Sequence, residues 1–236
     1  MDHPLLIPAG TFPLEFTAGI FLVDKPKEWT SFDVVAKMRR ILHIKKIGHA
    51  GTLDPMATGL LLVCVGRTAT SQIDTFMGME KEYTGMIRLG ETTESYDAES
   101  EVLETVSADH LTLADVQAAG MAFRGEIGQR PPMFSAIKIG GERLYKKARR
   151  GEMVEVPERS VTIYDFDLLG KSGNDVPFRV RCSKGTYIRS LAHDLGQKLG
   201  VGAHLTVLRR TGIGPFRVED AWTMPQLMEI QRPTIS

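Results

Sequence analysis

The sequence predicts an α+β fold with a central mixed, mainly antiparallel sheet flanked by helices. Short apolar runs such as Gly19–Asp24 and Leu60–Val65 read as buried strands, and amphipathic helical patterns lie between runs of this kind. The two element types do not follow strict βαβ alternation. Val161–Leu169 and Pro177–Cys182 flank the polar turn Lys171–Asp175, the pattern of an antiparallel hairpin.

Each element has a local reason. The first strand, Gly19–Asp24, is closed by Lys25-Pro26, because proline has no amide to continue a ladder. Ser31 is placed to cap a helix in which Val34, Val35, Met38, Ile41 and Leu42 recur at helical spacing. Lys37, Arg39 and Arg40 lie between them, on its exposed face. A loop over Gly48–Gly59 follows, then the strand Leu60–Val65, ended by Gly66. Glu82–Leu89 alternates as a strand with Tyr83 near its start, and the acidic stretch beyond Gly90 reads as a loop. Thr112 with Asp115 forms a capping box for a helix to about Phe123. Residues 125–151 read as a basic, partly irregular, mobile insertion containing Pro131-Pro132 and Gly140-Gly141. After the hairpin, Ile188, Leu191, Ala192, Leu195 and Leu199 mark a helix stopped by Gly200. His204–Arg210 reads as a strand, Gly212–Gly214 as a turn and Met224–Ile230 as a short helix.

Bulk properties narrow the function classes. A chain of 236 residues, 42% hydrophobic and 25% charged, suits one soluble globular domain spanning residues 1–236. It has no apolar run of membrane-spanning length and no secretory signal pattern at its start. Cys64 and Cys182 lie in apolar or strand-like stretches and read as free buried thiols in a reducing cytoplasm. Their spacing and that of the six histidines fit no zinc site, and no dinucleotide or Walker loop is present, so no cofactor or metal is expected. Net charge is zero but segregated. Lys37, Arg39, Arg40, Lys45 and Lys46 form one basic block; Lys138, Arg143, Lys146, Lys147, Arg149 and Arg150 form another, opposed only by Glu142. From Glu91 through Asp97 to Asp109 the chain is acidic, which suits either one basic and one solvated acidic face or blocks that are each only a solvated surface.

The residues with chemical potential are few. Asp54 lies between Leu53 and Pro55 in a glycine-punctuated loop, and is either a turn residue or a reactive carboxylate. His49 stands five residues before it, and Gly48, Ala50, Gly51, Ala57 and Gly59 leave room for a ligand at the backbone. Tyr83 and Tyr187 are either core-edge aromatics or faces for stacking a base. Arg189, two residues past Tyr187, is suited to pairing with a carboxylate.

These residues fall in ordered motifs. Phe21-Leu-Val-Asp-Lys25-Pro26, Gly48-His49-Ala-Gly-Thr-Leu-Asp54-Pro55-Met-Ala-Thr-Gly59, Lys81-Glu-Tyr83, Arg130-Pro-Pro132-Met-Phe-Ser135-Ala136-Ile-Lys138, Gly185-Thr-Tyr187-Ile-Arg189 and Leu208-Arg209-Arg210-Thr211 follow one another along the chain. In that order, from about Gly19 to Ala221, they resemble the bacterial TruB family of tRNA pseudouridine synthases. The resemblance implies the pseudouridine synthase fold and isomerisation of uridine 55 in the T-arm loop of tRNA, with Asp54 as the catalytic residue. It implies that His49 opens the RNA loop, Tyr83 stacks on the uracil, Arg189 pairs with Asp54, and Tyr187 and Leu208 wall the pocket. Lys25 joins them as a substrate-binding residue, and the 125–151 insertion grips RNA. The expected partner is a tRNA T-arm stem-loop, bound by a cytoplasmic monomer without metal, membrane or cofactor. Two departures stand out. The family's Ala-Thr-Lys segment is replaced near Thr68-Ala-Thr70, without the lysine, and the stretch after Ala221 is too short for the PUA domain that many members carry. Residues 1–18 lie outside the resemblance. A binding module that opens the tRNA elbow without chemistry, and a glycosidase of small nucleosides, are the competing classes.

Overall fold

Every residue from Gly59 to Val65 is buried, and this apolar run organises the first part of the molecule. The computed structural model describes residues 3–230 apart from 14, 136, 149 and 153. The chain divides into two compact units, Met1–Tyr83 with Leu208–Ser236, and Thr84–Val207.

In the first unit the strand Thr58–Val65 pairs antiparallel along its length with Gly19–Lys25, from Gly19↔Val65 to Lys25↔Gly59. Its other edge is shared. Ile47–His49 pairs antiparallel at Val63 to Val65, and Arg209 and Arg210 pair in parallel with Thr58 and Gly59. Alternation sends Phe21, Val23, Leu61, Val63 and Val65 to one face, against Val34, Val35, Met38 and Leu42 of the helix Ser31–Leu42 and against Trp222, Met224 and Leu227. Ile20, Leu22, Leu60, Leu62 and Cys64 point the other way, onto Ala69, Phe76, Ile213 and Phe216. A sheet covered on both faces explains the continuous apolar run. Each such aliphatic or aromatic side chain contributes about 1.5–3 kcal/mol on burial.

Three expectations are corrected here. The helix is capped by Thr30, whose hydroxyl accepts from Asp33 N while the Asp33 carboxylate accepts from Thr30 N. Ser31 is the first helical residue and points inward. His49 belongs to a strand, not a loop. Arg39 is not a solvated cation; it donates to the Ile47 carbonyl at 2.9 Å and ties that strand to the helix.

In the second unit Arg159–Leu168 pairs antiparallel with Asp175–Cys182 on one side and with Gly125–Gln129 on the other. The helix Leu113–Met121 packs on this sheet and beside the helix Ile188–Leu199. Gly120 permits the approach, since a Cβ there would lie 2.7 Å from a Leu168 methyl. Thr112 and Asp115 make the expected capping box, and Gly200 ends the later helix in the left-handed region. Both cysteines are buried.

The acidic stretch is a two-stranded ribbon, Glu91–Thr93 against Val102–Thr105, rather than a loop. Its β-branched residues suit strands while its glutamates face water. The insertion also begins later than expected, because Gly125–Gln129 is a sheet strand. Beyond it come a small ribbon, Lys138–Ile139 with Glu142–Arg143, and the helix Leu144–Ala148. The expected RNA contact of Arg149, and Ala136 in the motif before it, lie outside the described residues.

Candidate active site

Asp54 opens a β-turn: its carbonyl accepts from Ala57 N at 3.1 Å, with Pro55 at the second position. The turn reading is therefore correct for its backbone, and leaves the function of its carboxylate open. The segment around it is fastened at three points. The amide of Leu53 donates to Ser31 Oγ at 2.9 Å, and that hydroxyl returns a bond to the Leu53 carbonyl at 3.3 Å. The Pro55 carbonyl accepts from Glu28 N at 2.8 Å and from Lys25 Nζ at 3.4 Å. The Gly51 carbonyl accepts from Arg210 Nη2 at 3.1 Å, and Arg210 Nε donates to Leu60 O at 2.7 Å.

Two buried cations thus hold this loop. Arg210 is 1% exposed and Lys25 fully enclosed. Lys25 also donates to the carbonyls of Pro26 and Trp29 at 2.9 and 2.6 Å. Burying a charge is tolerable only where it is well bonded, so these carbonyls fix the loop as firmly as the cations need them. Lys25, expected as a substrate contact, anchors the loop backbone from inside.

The glycines also need a correction. Gly59 has φ +101°, and a Cβ there would lie 2.3 Å from the Arg210 carbonyl oxygen. It is glycine so that the Arg210 strand can approach, not to leave ligand space. His49 is half-buried. Burial first, and then the neighbouring Arg210 charge, hold its pKa below the usual histidine value, against a raising effect of a Gly51 backbone bond. Tyr83 and Leu208, also in this unit, are 8% and 6% exposed. The lysine of Lys81-Glu-Tyr83 caps the helix Ile73–Gly78, donating to Met77 O and Met79 O.

In the second unit the side-chain amide of Gln129 grips the backbone of Tyr187 on both sides. Tyr187 N donates to Gln129 Oε1 at 2.7 Å, and Gln129 Nε2 donates to Tyr187 O at 3.0 Å. Ser190 Oγ donates to Arg130 O at 2.7 Å. Between them Arg189 is 5% exposed. Its Nη1 donates to Ser95 O at 3.1 Å, its Nη2 to Phe134 O at 2.9 Å, and its Nε lies 3.5 Å from Asp97 Oδ2. Asp97 is 1% exposed, which overturns its placement on a solvated acidic face. Its Oδ1 accepts from Ser95 Oγ and from Glu99 N. The roles that Ser31, Arg210, Gln129 and Asp97 play here are not legible in the sequence. Arg210 lies in the motif Leu208-Arg209-Arg210-Thr211, whereas Asp97 is one acid among many in its stretch.

The basic blocks are less uniform than their composition. Lys37 and Arg40 line a surface groove of about 340 Å³ with Trp29, Glu28 and Asp33. Lys46, Arg67, Thr70 and Ser71 line another of about 380 Å³, whose side chains include no carboxylate. In the second block Arg150 is held by Glu142 through two bonds of 2.8 Å and by Glu152 at 2.7 Å, so Glu142 is not its only opposition. Among the described residues no helix is long and apolar enough to cross a membrane.

Residues 39–188 match the model of the TruB family pseudouridylate synthase N-terminal domain, and residues 189–234 match a tRNA pseudouridylate synthase B C-terminal domain. A tRNA pseudouridine synthase B of Opitutus terrae is 48% identical over 92% of this chain and 90% of its own length. One from Thermobifida fusca is 51% identical over 89% of this chain and 74% of its own. Among solved structures, a Cbf5-Nop10-Gar1 complex aligns with a TM-score of 0.68 and 33% identity over 95% of this chain, which spans 58% of the matched one. An H/ACA ribonucleoprotein bound to a substrate RNA containing 2′-deoxyuridine aligns with a TM-score of 0.67 and 30% identity, again over 95% and 58%.

Proposed function

Because the chain belongs to the TruB family of pseudouridylate synthases, we propose that it isomerises uridine 55 in the T-arm loop of tRNA to pseudouridine, with Asp54 as the catalytic carboxylate. The enzyme is an isomerase: the N1–C1′ bond breaks, the uracil turns, a C5–C1′ bond forms and the C5 proton leaves for N1 or solvent. Glycosidic cleavage builds positive character at C1′, and a carboxylate beside that carbon stabilises or captures it.

The observation that supports this role best is the fastening of the loop at Gly51, Leu53 and Pro55. A nucleophile must wait in place, since misplacement by about 1 Å can cost a hundredfold in rate. The target uridine must leave its stack before reaction. His49 enters the RNA loop in this reading, Tyr83 stacks on the uracil, and Tyr187 and Leu208 line the base pocket. Arg189 is the counter-charge of Asp54, and Lys25 acts through the loop. The reading takes residues 1–236 as one catalytic domain that works as a monomer on the T-arm.

Asp54→Asn tests it. The variant is expected to bind a T-arm stem-loop with unchanged affinity, unfold at the wild-type temperature and form no pseudouridine. Product formation at a comparable rate would overturn the assignment. Measured in parallel, tRNA refolding by the same variant separates chemistry from an RNA-opening activity.

A further inference from the structure

Tyr96 has φ +62°. For a residue with a Cβ this left-handed conformation is strained, and it persists only where surroundings over-determine it. The surroundings here are specific. The Tyr96 ring lies flat on the His193 ring, centroids 3.8 Å apart and planes 13° from parallel. The Tyr96 carbonyl accepts from Leu205 N at 3.0 Å, and Ala98 N donates back to Leu205 O at 3.0 Å.

The turn has a geometric result. Its two flanking residues both present acceptors to one guanidinium, Ser95 through its carbonyl and Asp97 through Oδ2. Arg189 and His193 are four apart on the helix Ile188–Leu199, and so share a face one turn from each other. Three consecutive residues therefore grip two consecutive turns of the helix. The outer two hold Arg189 and the middle one stacks on His193.

We propose that the Tyr96–His193 stack is a positioning pair for Arg189, setting the strained turn that aims Ser95 O and Asp97 Oδ2 at its guanidinium. The proposal rests on the reading of Arg189 as the counter-charge of Asp54. Neither ring touches the reacting uridine; both act through the arginine. A planar side chain is required at 193, and a hydrogen bond from its Nδ1 is not, since that enclosed atom has no partner among the described residues.

The test compares His193→Ala, His193→Phe, Tyr96→Gly and Tyr96→Phe in the full chain on a T-arm stem-loop. Tyr96→Gly relieves the backbone strain while removing the ring, so it is expected to fold even where an alanine does not. Losing either ring should lower kcat by about tenfold or more, with KM changed less than twofold, as expected for a group misplaced within the site. Both phenylalanine variants should retain kcat within about threefold of wild type. Wild-type kcat in His193→Ala or Tyr96→Gly would overturn the proposal. So would equal losses in the alanine and phenylalanine variants of His193. Arg189→Ala, run beside them, isolates the premise: if it is fully active, the role given to Arg189 fails. An inactive Arg189→Ala with an active His193→Ala sinks the stack alone.

Discussion

The hydroxyl of Ser31 sits between the amide and the carbonyl of Leu53, 2.9 Å from one and 3.3 Å from the other. A side chain in the first turn of a helix thereby fixes the residue next to Asp54. Ser31→Ala leaves the buried Leu53 amide without this partner, an expected loss of about 1–3 kcal/mol. Because Thr30 caps the helix, helical content should not change. Turnover of a T-arm stem-loop should fall while circular dichroism stays at wild type. Full activity after the substitution would show that the loop does not need this fastening.

Gly59→Ala should be far more damaging than its single added methyl suggests. The Cβ would lie 2.3 Å from Arg210 O, on a backbone at φ +101°. Backbone cannot yield as a side-chain tip does, so the Arg210 strand must separate and its bonds to Leu60 and Gly51 weaken. The expected effect is a loss of about 3 kcal/mol or more, read by urea unfolding. Gly140→Ala, also at positive φ but with only the far end of Lys147 within 4 Å, should cost much less.

Asp194 predicts a stability change with pH. Burial first, and then the Glu158 charge, push its carboxyl up to about 6. In the unfolded chain an aspartate titrates near 3.9. The folded state therefore binds the proton more tightly, and stability present below that value is lost as pH rises to about 6. Asp194→Asn should raise the unfolding temperature at pH 7 and leave it nearly unchanged at pH 3.5. His49 has the opposite sign: its pKa is lowered, so its contribution is present above about 6.5 and lost as pH falls. An unfolding temperature for Asp194→Asn that tracks wild type from pH 3.5 to 7 would remove Asp194 from this account.

Affinity for tRNA should depend on the two basic blocks unequally. Lys46 and Arg67 line a groove with two hydroxyl residues, whereas Arg150 is committed to two carboxylates. Lys46→Ala and Arg67→Ala are each expected to weaken binding and reduce the salt slope by about 1. Arg150→Ala should leave the slope unchanged. Wild-type slopes for Lys46→Ala and Arg67→Ala would show that neither groove residue meets the RNA backbone.

Much of this architecture can be read along the chain, and the exceptions share a cause. Strands such as Gly19–Lys25 and helices such as Ile188–Leu199 declare themselves by apolar spacing and by stops at Pro26 and Gly200. Asp54, Tyr83 and Arg189 stand out because their motifs occur in order. The cap was misread between adjacent hydroxyls, although Asp33 three residues after Thr30 marks the capping box. Asp97 could not be told from its acidic neighbours, since its burial is decided by Arg189, 92 positions away in the sequence. Gly59 had the same difficulty, its constraint being the backbone of Arg210. Ile47–His49 is too short for any periodicity to show.

The bond from Arg210 to Gly51 closes over a sequence separation of 159 residues. Translation at about 5–20 residues per second sets roughly 8 to 30 s between the appearance of the loop and that of its arginine. During that interval the carbonyls of Gly51 and Leu60 have no guanidinium to meet, and the parallel edge at Thr58 and Gly59 is unfilled. A ribosome-bound chain stopped before residue 208 therefore holds the Asp54 loop at Leu53 and Pro55 but not at Gly51. The third fastening of the Asp54 loop is therefore made only after the Arg210 strand has been synthesised.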